Sequence, residues 1–115
     1  MANICNNDIT INGEAFEVDL IMEKIKKDYD IYYLDRPDEI PTKFHIMSKW
    51  TPPLEYFSML SKDFPNIEIT IDYYELGCAF YGQAKIKDGY VDDWSENMDE
   101  EKHKEYSDHL NNINS

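Results

Sequence analysis

Between Ile67 and Tyr74 the chain alternates strictly, with Ile67, Ile69, Ile71 and Tyr73 on one side and Glu68, Thr70, Asp72 and Tyr74 on the other. Period two is the signature of a strand with one buried face and one wetter face. Such a strand needs partner strands for its backbone and a second layer over its isoleucines. The rest of the chain must supply both.

Three further stretches read as strands. Ile9 and Ile11 alternate with Asp8 and Thr10 and close on Asn12-Gly13; Phe44-His45-Ile46-Met47-Ser48 alternates again; Phe80, Gly82, Ala84 and Ile86 oppose Gln83, Lys85 and Lys87 before an Asp88-Gly89 turn. Two stretches read as helices. From Glu14 to about Tyr29, the residues Phe16, Leu20, Ile21 and Ile25 fall at helical spacing, with Glu14 and Glu17 early and Lys24, Lys26 and Lys27 late, as the helix dipole favours. Leu54, Phe57, Leu60 and Phe64 form a second apolar stripe that stops before Pro65, with Thr51 as its expected N-cap and Pro52 in its first turn.

Ile31-Tyr32-Tyr33-Leu34 reads as a short extended piece, and Asp35 to Pro41, with two prolines, as a loop. The order is β-α-β-α-β-β, or β-α-β-β-α-β-like if Ile31 to Leu34 is a strand, with the pairing left open. The economical architecture is α+β, with two helices on one face of a mostly antiparallel sheet. Beyond residue 89, Trp94, Met98, Tyr106 and Leu110 share a helical face interrupted by Lys102. The expected division is therefore a domain over residues 1–89 and an acidic C-terminal helix or tail over 90–115, fraying from Asn111.

Charge narrows function. The 115 residues carry 24 acids and 11 bases, a net charge of -13, and the one arginine is Arg36. A nucleic-acid reader draws affinity from clustered Lys and Arg, and so does a protein that sits on anionic lipid. Neither partner is expected; a basic protein surface is. The acids gather at the flanks, with net -6 in residues 1–42, -1 in 43–89 and -6 in 90–115. No apolar run approaches the roughly 20 residues of a membrane span, and no leader is visible, so the expected place is the cytoplasm. Cys5 and Cys78 read as free thiols.

No motif assembles an active site. His45 lies in a strand with no nucleophile beside it in sequence. His103 and His109 stand among Asp99, Glu100, Glu101, Glu105 and Asp108 without the spacing of a calcium loop or a zinc helix, so they read as solvated charge. The cysteines lack zinc or redox spacing, and no glycine-rich phosphate loop exists. The expectation is a protein that is not an enzyme and takes no cofactor or metal. Trp50 reads mainly as a core residue at a helix start, with an interface anchor as the alternative. Tyr73-Tyr74-Glu75 and Phe80-Tyr81 put aromatics on both faces of neighbouring strands; without basic companions such a face suits protein contact or dimerisation rather than base stacking.

Four stretches carry a resemblance. Met1-Ala-Asn-Ile-Cys-Asn-Asn with Ile9, Ile11 and Gly13, then Trp50-Thr51-Pro52-Pro53, then Leu60-Ser61 through Phe64-Pro65, and Tyr74-Glu75-Leu76-Gly77 with Phe80 and Gly82, together resemble the YubB-like, ferredoxin-fold proteins of plasmids and bacteriophages. Ile4 and Leu76 depart from that pattern, where tryptophan and proline are usual, and the acidic tail has no counterpart in it. The resemblance implies a ferredoxin-like antiparallel sheet encoded on a mobile element, with no iron-sulfur cluster and no assigned activity.

Resemblance and charge together lead to an inhibitor of a host defence or nucleic-acid enzyme, of the anti-CRISPR or anti-restriction type, acting by nucleic-acid mimicry on a basic surface. The alternative is a self-associating structural or regulatory module, a homodimer among its forms. The partner-binding candidates are Asp35, Asp38 and Glu39 in the loop; Trp50, Tyr74, Glu75 and Tyr81 among the aromatics and their neighbours; and Asp92, Asp93, Glu96, Asp99, Glu100 and Glu101 in the C-terminal stretch.

Overall fold

A computed structural model describes residues 3–35 and 40–114. The elements run β1 (Ile4–Asn12), α1 (Ala15–Asp28), β2 (Tyr32–Asp35), β3 (Thr42–Lys49), α2 (Leu54–Asp63), β4 (Glu68–Glu75), β5 (Phe80–Lys87), β6 (Tyr90–Asn97) and α3 (Glu100–Asn114). The strands form one antiparallel sheet in the order β2-β3-β1-β4-β5-β6. Its first four strands are the ferredoxin-like split β-α-β arrangement. β5 and β6 extend that sheet beyond β4.

Alternation divides the sheet into two faces. Cys5, Ile9, Ile11, Phe44, Ile46, Ile69, Ile71, Tyr73, Ala84 and Ile86 point to one side and pack with Val18, Ile21, Met22 and Ile25 of α1 and Phe57 and Leu60 of α2. Asn7 shares this buried face, and its amide nitrogen donates to the Ile46 carbonyl at 3.2 Å and to Ser48 Oγ at 3.0 Å. Those bonds tie β1 to β3 and satisfy a polar side chain that burial would otherwise penalise.

Three local expectations need correction. Phe16 and Leu20 face solvent, because α1 turns Val18 and Met22 inward along with Ile21 and Ile25. Helix α2 starts at Leu54 with Pro53 at its N-cap, not Thr51; instead, the Thr51 carbonyl accepts a bond from Ser48 Oγ at 2.7 Å. Residues 90–97 are a strand, so Trp94 and Met98 do not share a helical face with Tyr106 and Leu110. The physical reason is the Asp88-Gly89 turn, where both residues have positive φ (48° and 81°), as a two-residue hairpin connection requires. That turn pairs β5 with whatever follows, in register from Lys87↔Tyr90 to Phe80↔Asn97.

Candidate functional site: the outer sheet face and its acidic edge

The face turned away from α1 and α2 follows from the register. One row across it reads Tyr32, His45, Asp8, Asp72, Gln83 and Trp94; the next reads Met47, Asn6, Tyr74, Tyr81 and Glu96. Helix α3 lies on this face. Tyr106 stacks on Tyr74 with ring centroids 4.7 Å apart and tilts against Tyr81 at 5.5 Å, while Lys102 Nζ sits 5.4 Å from the Tyr81 ring. His103 Nε2 reaches the Leu76 carbonyl at 3.2 Å. His109 Nε2 meets Asp8 Oδ2 at 2.9 Å. The two C-terminal histidines thus pin α3 to the sheet, which corrects their reading as solvated charge.

Asp8 is shared. Its Oδ1 lies 2.9 Å from Nδ1 of His45, whose Nε2 lies 3.1 Å from Asn6 Oδ1. His45 is only 2% exposed. The row of paired groups opens into a cleft of about 270 Å³ between α3 and the sheet, lined by Asp8, Thr10, Lys43, His45, Asp72, His109 and Ile113 among others. The cleft brings two histidines and two carboxylates close together, yet no group of His, Cys, Asp or Glu among the described residues is arranged to hold a metal ion. Asp8 joins His45 of the sheet to His109 of α3 here, which makes this a packing site for α3.

The partner-binding candidates divide sharply. Tyr74 is fully buried beneath Tyr106 and His109, and burial raises its hydroxyl above the usual tyrosine range. Glu75 is buried at the end of β4, where its two carboxylate oxygens accept the backbone N–H groups of Gly77 (2.9 Å) and Cys78 (2.6 Å). Both side chains are closed to a partner in this conformation, Glu75 because it builds the β4–β5 turn. Tyr81 is half-buried, its hydroxyl donating to Glu96 at 2.9 Å and its ring edge-on to Trp94.

Trp50 is not a core residue. It is 51% exposed, its backbone holds a left-handed φ of 67°, and its backbone N–H donates to the Asn3 carbonyl at 2.8 Å. A bulky residue in that region is uncommon and costs local strain. Ile4 and Met47, also exposed, belong to the same end of the β1–β3 pair.

Among the described candidates, Asp35 stands far from the C-terminal acids. Asp35 ends β2, at one edge of the sheet, while Asp92, Asp93 and Glu96 belong to β6, at the other. Five interstrand steps of roughly 4.8 Å separate the edges. Asp38 and Glu39 lie outside the described residues, as does the side chain of Asp35. At the β6 edge Asp92 and Glu96 share the outer face with α3, whereas Asp93 turns to the opposite face and accepts the Tyr73 hydroxyl. Asp92, Asp93, Glu96, Asp99, Glu100 and Glu101 are all exposed, and Glu105 and Asp108, read from the sequence only as solvated charge, extend them along α3. An open groove of about 380 Å³ runs between Tyr81, Glu96, Asp99, Glu101, Lys102 and Glu105. Asp99 also caps α3, its Oδ1 accepting the Lys102 N–H at 2.8 Å.

No curated protein and no solved structure matches the chain. A family model described as a ferredoxin-like domain in Api92-like protein matches residues 28–113, about three-quarters of the length, and this span includes β6 and α3. The match begins at the end of α1 and leaves out β1; at three-quarters of the length it shows that the chain belongs to the family of ferredoxin-like domains in Api92-like proteins.

Proposed function

We propose that this protein is an interaction module that presents the carboxylates of β6 and α3 to a basic, nucleic-acid-binding surface of another protein and so blocks it. One observation carries the reading. From Asp92 to Asp108, eight exposed acidic residues lie on β6, α3 and the Asp99 cap between them, Asp93 alone turned to the helix-side face, against the exposed Lys104 and the more covered Lys102. Crowding like charges costs stability through mutual repulsion, and it focuses a negative field that draws a cationic partner. A protein that binds nucleic acid by neutralising phosphates with Lys and Arg offers the matching surface.

The resemblance to YubB-like proteins of plasmids and phages supports a narrower version. In it the target is a nucleic-acid enzyme of a bacterial host, such as a CRISPR effector or restriction nuclease, met in the host cytoplasm. The test is affinity capture from a bacterial host lysate at low salt, with the wild-type chain beside a variant carrying Glu96→Gln, Glu100→Gln, Glu101→Gln and Glu105→Gln. The expected result is one stoichiometric nucleic-acid-binding protein, released by salt and missing from the variant's eluate. Equal capture by both baits would end the reading.

A second reading, self-association, is favoured by the exposed Ile4, Met47 and Trp50. Light scattering decides it, since a mass that rises with concentration and ignores salt would support it and a strict monomer would not.

A further inference from the structure

β6 is the last strand of the sheet, and all eight of its residues are exposed. Its free edge has a definite parity. The Met98 N–H donates to the Ala79 carbonyl at 2.6 Å, extending the β5–β6 register by one bonded pair. In an antiparallel ladder bonded and non-bonded pairs alternate, so Tyr90, Asp92, Trp94 and Glu96 direct their backbone groups to β5. Val91, Asp93, Ser95 and Asn97 direct theirs outward.

Edge strands with open hydrogen-bonding groups are templates for another strand. Charge selects which strand. A second copy would bring Asp92, Asp93 and Glu96 against the same acids, a repulsive pairing. Cations are favoured on both sides of Trp94, which is 49% exposed and lies between Asp92 and Glu96 on the outer face.

We infer that the β6 edge takes an extended, basic segment of a partner protein as an added antiparallel strand, its Lys or Arg residues opposite Asp92, Trp94 and Glu96. This rests on the proposed acidic interaction surface and specifies how that surface is used. Residues of the added strand opposite Val91, Asp93 and Ser95 supply the bonding N–H and C=O groups, and those opposite Asp92, Trp94 and Glu96 supply the charge.

The test uses a synthetic peptide of alternating lysine and threonine, titrated calorimetrically into the full chain, in three forms: unmodified, N-methylated at the threonines, and N-methylated at the lysines. All three carry the same charge. The unmodified and lysine-methylated peptides are expected to bind, and the threonine-methylated one at least roughly tenfold more weakly, the loss of one or two hydrogen bonds. Val91→Pro, which removes an outward N–H at a sheet edge and breaks no bond to β5, is expected to weaken the unmodified peptide by a similar factor. Equal, salt-sensitive binding of all three peptides would overturn strand addition and leave the acidic surface standing as a purely electrostatic site. Failure of every peptide to bind would also overturn strand addition, while the charge-variant capture decides the acidic surface separately.

Discussion

Gly82 admits β6 to the sheet. A Cβ there would overlap the Trp94 carbonyl and the Tyr73 hydroxyl, and that hydroxyl donates to Asp93 Oδ1 at 2.5 Å and lies 3.1 Å from the Trp94 carbonyl. The glycine lets a buried tyrosine of β4 reach across β5 to hold β6. Gly82→Ala should therefore cost about 1–3 kcal/mol in urea unfolding; a neutral result would mean that β6 does not approach so closely. Titration gives a second residue-scale prediction. Burial pushes the Cys5 thiol up from about 9 to about 12 and raises the Tyr73 hydroxyl above its usual range, with the bond to Asp93 adding to the latter. Each group holds its proton more tightly folded than unfolded, so its contribution is complete below the unfolded pKa and is lost as pH climbs towards the folded value. Stability should thus fall steadily above about pH 9 and be flat with respect to these groups below it, a profile that thermal unfolding against pH will check. At this scale the sequence showed which isoleucines face inward but misjudged Phe16, Leu20 and Trp50. Periodicity ranks candidate faces of a helix without saying which one the sheet will meet, and a left-handed backbone at Trp50 has no local signal.

Elements were legible wherever both a period and a boundary were present. The strand at Ile67 to Tyr74 and the helix ending before Pro65 had both. β6 had its boundary in the Asp88-Gly89 hairpin turn and its composition in Val91 and Trp94, yet Asp92, Asp93 and Glu96 obscured the alternation. An edge strand open to water on both faces has no apolar face to show. Helix α3 was visible as a helix, but its docking depends on His103, Tyr106 and His109 meeting Leu76, Tyr74 and Asp8, contacts that join residues far apart in the chain. Tyr106→Ala together with His109→Ala should free α3. Amide exchange in residues 100–113 is expected to rise by at least roughly tenfold, with little change in β1 and β4. Slow exchange retained in α3 would show that other contacts hold it.

For the whole molecule, the sheet sorts what the chain had mixed. The apolar alternation of four strands builds a core on one face, α3 closes part of the other, and Asp35 and the acids of β6 end on opposite edges, with exposed acids following one another from β6 into α3. Sequence counting located the charge but not the distance between Asp35 and the acids of β6, because strand order is a property of pairing and not of position along the chain. The aromatic face expected to meet a partner is largely taken up internally, Tyr74 by Tyr106 and His109. The most direct test of the β6–α3 surface is an NMR titration of the isotopically labelled 115-residue chain with the protein it captures. Shift changes are expected to concentrate in residues 90–108 and to diminish with added salt. Changes centred instead on Ile4, Met47 and Trp50, and indifferent to salt, would contradict that expectation.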